Sequence, residues 1–153
     1  LREAEQAAQI LQDKYNVSSY IWSITSYNQL YRDAMDARRF NMLNPEQEAK
    51  QSYVAAQLEI DNCPVIAASD YVKNYSGQIA AFIAQDYTVL GTDGFGRSDD
   101  RANLRDFFEV DAKYITIAAL ESLVNQGSIA KNVLVQALQE LNIDTSKPNP
   151  LYL

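Results

Sequence analysis

The stretch GTDGFGRSDD, residues 91–100, places three of the chain's five glycines within six positions and follows them with an arginine and two aspartates. Glycines let backbone amides converge on an anion, and arginine pairs with carboxylate or phosphate. The spacing of Gly91, Gly94 and Gly96 is G-x-x-G-x-G, which is neither the dinucleotide fingerprint nor a Walker loop, and no Lys-Ser/Thr pair follows. A calcium loop needs Asp or Asn at alternate positions before its glycine, and only Asp93 stands there. Two readings remain. In one, Thr92, Gly94, Gly96 and Arg97 form a nest in a stand-alone α/β small-anion-binding or interaction module. In the other, which we favour, Thr92, Asp93, Gly94, Phe95, Gly96, Arg97, Ser98 and Asp99 make a strand-end or interface loop. Its glycines permit positive φ, Phe95 plugs a core or interface, and Arg97 pairs with Asp99 or Asp100.

Other catalytic chemistry is narrowed by what the chain lacks. There is no histidine, which removes the commonest general base and transition-metal ligand and any Ser-His-Asp or Cys-His arrangement. The single cysteine, Cys63, excludes an intrachain disulfide and a Cys-based zinc site, and its place before Pro64 and an apolar run suits a buried, inert thiol. Asp70 and Asp93 end two apolar runs and could approach each other at one edge of a sheet. The residues themselves name no catalytic, cofactor-binding or metal-binding group.

Thirteen basic against twenty acidic residues give a net charge of −7, a field that repels phosphate backbones and anionic lipid. Arg38 and Arg39, the only basic doublet, read as a solvated helix face. No apolar stretch approaches the roughly 20 residues that a spanning helix needs. Nucleic acid and membrane are therefore poor partners, and a soluble, cytoplasmic protein is expected. With 153 residues, 47% of them hydrophobic, the chain suits one domain with a real core.

The elements that must position the glycine stretch follow from periodicity. A helix opens the chain, with Ala4, Ala7, Ala8, Leu11 and Tyr15 at helical spacing. SSYIWSIT, residues 18–25, is aromatic and β-branched and reads as a strand. Ser26 can cap a helix bearing Tyr27, Leu30, Tyr31 and Ala34, which Asn44 and Pro45 end. A short helical piece near residues 53–58 precedes PVIAAS, residues 64–69, a run suited to a strand buried on both faces. Ser69 or Asp70 can cap a helix carrying Val72, Tyr75, Ile79, Phe82 and Ile83. YTVLGT, residues 87–92, is another buried strand, and helical patterns follow at about 100–108, 111–126 and 129–141, with Gly127 and Ser128 as a break. Of the ten tyrosines, Tyr20, Tyr27, Tyr31, Tyr53, Tyr71, Tyr75 and Tyr114 lie in or beside apolar patterns and should mostly be core. Alternating strands and helices predict an α/β fold with a three-layer, mostly parallel sheet. Such a unit normally begins with a strand, so a strand upstream of Leu1 is expected. Residues 1–143 form the domain and 144–153, ending DTSKPNPLYL, an extended arm.

PVIAASDYVKNYSGQIAAFI followed by YTVLGTDGFGRSDDRANLRDFFEVDAKYITIAAL closely resembles the carboxyl-terminal domain of homodimeric-type pyruvate dehydrogenase E1 subunits, a transketolase-like family. WSITSYNQLYRDAMDARRFNML and NIDTSKPNPLYL resemble the same family's preceding strand and helix and its terminal arm. The resemblance covers essentially the whole chain. It implies a much larger thiamine-dependent oxidoreductase of pyruvate metabolism at the end of glycolysis, with thiamine diphosphate and Mg²⁺ held by other domains. The family's metal motif, Gly-Asp-Gly followed by Asn, is absent, since Asp93 follows Thr92. The partners it implies are the remaining E1 domains, a second E1 subunit and the lipoyl acetyltransferase E2. This fragment would support dimer assembly and the active-site region while being inactive alone.

Overall fold

The structure, a computed structural model, describes residues 1–60 and 63–153. Its elements in chain order are α1 (Arg2–Tyr15), α2 (Tyr27–Leu43), α3 (Tyr53–Leu58), β1 (Val65–Ala68), α4 (Lys73–Gly77), β2 (Tyr87–Leu90), α5 (Arg101–Phe107), α6 (Ala112–Asn125) and α7 (Lys131–Glu140), with 3₁₀ turns at Ala80–Phe82 and Pro150–Tyr152. β1 and β2 pair in parallel, Val65 opposite Tyr87 and Ala68 opposite Leu90.

Local chemistry sets the helix limits. Ser26 accepts from the Gln29 amide at 3.3 Å, Ser52 from that of Ala55 at 3.3 Å, and Asp111 from those of Lys113 and Tyr114, each satisfying donors that a helix start leaves over. α1 ends where Asn16 turns left-handed, at φ 53°, a conformation asparagine tolerates better than most residues. Gly127 breaks the chain after α6 at φ 75°.

Side chains alternate across the strands. Val65 and Tyr87 pack with Tyr27, Ala34, Val54, Leu58 and Ile79, whereas Ile66 and Leu90 pack with Ala7, Ala112 and Ile115. A third cluster joins α1, α6 and α7 through Leu11, Leu120 and Ala137. α6 buries residues around much of its circumference, because α1, α7 and both strands lie against it.

Five expectations change. Residues 18–25 do not join the sheet: they make no backbone hydrogen bond among the described residues, and Tyr20 and Trp22 are 74% and 49% exposed. The helix after β1 is a single five-residue turn followed by a 3₁₀ turn, and neither Ser69 nor Asp70 caps it; its N-cap residue, Val72, has no side-chain acceptor. Tyr53 and Tyr71 are exposed like Tyr20, their apolar rings lying outside the packed face that Tyr27 occupies. The terminal arm is folded back rather than extended, with Pro150 buried and Asn149 accepting from the Leu151 amide at 2.9 Å. Cys63 is only half-buried.

Candidate functional site

The carboxyl ends of β1 and β2 run into two loops, residues 69–73 and 91–94, that are sewn together. The Thr92 amide donates to the Tyr71 carbonyl at 2.9 Å and its hydroxyl to the Asp70 carbonyl at 3.0 Å. Asp93 accepts from the Lys73 amide at 2.8 Å. The carboxylate of the glycine stretch therefore caps α4 from the neighbouring loop, where Val72 offers no oxygen. Ser69 instead accepts from the Tyr71 amide at 3.1 Å, closing a local turn.

Two of the glycines are demanded by this closeness. A Cβ on Gly91 would lie 2.7 Å from the Tyr71 carbonyl oxygen and 2.9 Å from the Lys73 nitrogen. Gly94 sits at φ 95°, and a Cβ there would lie 2.6 Å from the Pro150 carbonyl oxygen, so the folded-back arm rests on the loop. Gly96 has open space around it.

The second half of the stretch is arranged differently from the sequence expectation. Arg97 forms no ion pair with Asp99 or Asp100 among the described residues; its guanidinium lies 5.0 Å from the Phe107 ring centroid, a cation–π distance. Both aspartates are occupied at the start of α5. Asp100 accepts from the Asn103 amide at 2.8 Å, and Asp99 from the Asn103 side chain at 2.9 Å and the Asp100 amide at 2.7 Å. These donors, the Asn103 side chain first, hold the Asp99 carboxyl below the usual carboxylate range. Phe95 is 76% exposed, so it does not plug the core, and Ser98 is also exposed.

Asp70 and Asp93 lie on adjoining loops but serve different partners. Asp70 takes a two-pronged contact from Arg105, Nε to Oδ1 at 3.2 Å and Nη2 to Oδ2 at 2.9 Å. Arg105 also reaches Glu3 at 3.0 Å, and Glu3 accepts from the Ala112 amide at 3.0 Å. One guanidinium thus ties α1, the end of β1 and α5 together, and Glu3 links it to the start of α6. The Arg105 hydrogen bonds lower the Asp70 carboxyl, and Asp70 raises Arg105 in return. This tie was invisible in the sequence, because Glu3, Asp70 and Arg105 stand far apart in it and share no motif.

The groups that could do chemistry at the strand ends are largely taken up in holding the loops. Among the described residues, no group of three or more His, Cys, Asp or Glu side chains could hold a metal ion, and no helix is long and apolar enough to cross a membrane.

The sequence that builds this sheet and loop is similar to known proteins. Residues 1–111 match the Transketolase-like TK C-terminal domain, and the chain belongs to that family. Among curated proteins it is 46% identical over 152 residues to the pyruvate dehydrogenase E1 component of Pseudomonas aeruginosa, covering 99% of this chain and 17% of that protein. The pyruvate dehydrogenase E1 components of Haemophilus influenzae and Escherichia coli K12 are each 45% identical, over 153 and 151 residues, covering 99% and 98% of this chain and 17% of each relative. The chain thus spans about a sixth of the length of the relatives it matches.

Proposed function

We propose that the chain serves as the carboxyl-terminal domain of a pyruvate dehydrogenase E1 component, within an enzyme that oxidatively decarboxylates pyruvate and passes the acetyl group to the lipoyl domain of E2. The observation that carries this reading is identity of about 45% across nearly the whole chain, the glycine loop included, to E1 components. The helices against both strand faces support a three-layer domain over residues 1–143, with 144–153 as its arm. Thiamine diphosphate and Mg²⁺ belong to other domains in this reading. The donor set for them does not fit here, since Asp93 is committed to α4, and no chemical step is assigned to this chain. Its part is support. Phe95, Leu151 and Tyr152 are exposed by 76%, 43% and 80%, and Gly94 brings their two segments into contact. Exposed aromatics of this kind suit the core of a contact with a neighbouring E1 domain or the second subunit.

The test is a chimera. Replacing the matching region of the Escherichia coli E1 component with these 153 residues should preserve most pyruvate-dependent acetyl transfer to E2, whereas deleting the region should abolish it. A chimera that folds and binds thiamine diphosphate yet forms neither dimer nor product would reject the reading. Changing Phe95 to Ser in the chimera should weaken the dimer without altering cofactor affinity; a dimer unchanged by it removes the contact assigned to this patch.

A further inference from the structure

We propose that the outward face of α2 is a docking surface for an acidic amphipathic helix of another protein, gripped by Arg32 and Arg39 and packed on Met35 and Met42. The proposal does not depend on the E1 reading.

α2 has two apolar faces where a surface helix normally has one. Its inner face, Tyr27 and Ala34 with Leu30 and Tyr31, packs into the core with α3 and α4. The opposite face carries Met35, Met42 and Leu43, exposed by 40%, 71% and 54%. The chain has no other methionine. Flexible, polarisable methionines are favoured on surfaces that receive helices.

Arginines complete a seam. Residues 32, 35, 39 and 42 follow one another at steps of three, four and three, the spacing that keeps one stripe toward a partner helix. Arg32 and Arg39 are exposed and form no ion pair among the described residues. The nearby carboxylates leave them free. Asp33 turns to α3 and accepts from the Tyr53 amide at 2.6 Å, and Asp36, at the edge of the stripe, pairs with neither arginine. The arginine doublet is thus divided: Arg38 lines a separate groove beside Lys50, and Arg39 stands on the stripe.

Charge and spacing choose the occupant. Seven residues of helix set the two arginines about 10 Å apart. Two carboxylates seven residues apart on a facing helix have the same interval, with leucines at the steps between to meet the methionines. Each guanidinium can grip a carboxylate with two N–H groups. The overall charge of −7 opposes acidic partners elsewhere on the chain, so the stripe supplies specificity more than affinity. A second copy fits poorly. A two-fold contact that runs the stripe antiparallel to itself sets position 32 on 42 and 35 on 39, each arginine on a methionine, and a parallel one sets arginine on arginine. Neither pairs a charge.

The test uses the full-length protein that carries this domain and two fluorescent helical peptides, one spaced Glu-x-x-Leu-x-x-x-Glu-x-x-Leu and one with Lys for Glu. The Glu peptide should bind at least about tenfold more tightly, with the difference shrinking at high salt. Its binding should slow peroxide oxidation of Met35 and Met42. Arg32→Glu combined with Arg39→Glu should invert the preference, and the gain of binding to the Lys peptide shows that the variant is folded. Arg38→Glu, off the stripe, should leave the preference as it was. Equal affinity for the two peptides, no binding of either at about 1 mM, or a preference untouched by the double reversal overturns the proposal. So does protection of both methionines from peroxide in the protein alone. Protection independent of concentration assigns the face to a contact within the polypeptide, and protection that grows with concentration assigns it to a second copy.

Discussion

The two strands end in one loop system and border one groove, and these regions are opposites. At the strand ends the main chain is closed on itself: the Thr92 amide, the Lys73 amide and the Asp93 carboxylate are paired, and Gly91 and Gly94 stand where no side chain fits. Along the free edge of β1 and through residues 18–25, backbone groups of the described residues stay open beside apolar walls. One end of the domain is finished by its own residues. The other leaves a strand-like run open beside apolar walls, which teaches that the glycines here serve packing while strand propensity alone does not make a sheet.

The comparison predicts where the chain is brittle. Gly94→Val puts a β-branched residue at φ 95° with its Cβ against the Pro150 carbonyl, and should cost at least about 1–3 kcal/mol. The denaturant midpoint should fall, and the arm should be released to proteolysis near Pro150. If the midpoint is unchanged, the loop and arm are not locked as described.

Alkali should loosen the packed core that both regions share. Tyr87 donates its hydroxyl to the Ser76 carbonyl at 2.9 Å, and burial pushes its pKa well above the ordinary value; burial also raises Tyr27, and Tyr114 is pushed up to about 12. A phenol with a raised folded pKa stabilises fully below its unfolded value, near 10, and that contribution is lost as pH climbs toward the folded value. Stability should therefore fall from about pH 10 upward. Allowing for the ring's remaining solvent access, Tyr87→Phe should remove about 1 kcal/mol of that decline at pH 12. Parallel pH profiles for the two proteins would show that the phenol stays protonated for some other reason.

Asp93→Ala tests the cap across loops. It leaves the Lys73 amide without its acceptor at the start of α4, and should cost about 0.5–1 kcal/mol. Asp93→Asn should recover most of the loss, since its carbonyl oxygen can still accept. Failure of that rescue would mean the negative charge, rather than the hydrogen bond, holds the loop.

The legible parts of the molecule were those written in local pattern. The helix that Ser26 caps, the short helix at residues 53–58 and the two apolar strands stand where periodicity put them, within a residue or two. The glycine stretch follows the end of β2, but the partners of Arg97, Asp70 and Asp93 were not readable. Phe107, Arg105 and the Lys73 amide reach those residues only through tertiary closeness. The reading of residues 18–25 as a strand missed for an informative reason: propensity describes what the segment suits, but a strand exists only where its backbone is paired, and this segment's is not among the described residues.

Trp22 gives the smallest effect and the sharpest test of that contrast. Its ring is 49% exposed and borders the groove, and its indole donates no hydrogen bond among the described residues. In the 153-residue chain, Trp22→Ser should shift stability by less than about 0.5 kcal/mol, as for other substitutions away from packed features. A large cost there would mean that residues 17–24 already carry core weight, and the open and closed regions would not differ as described.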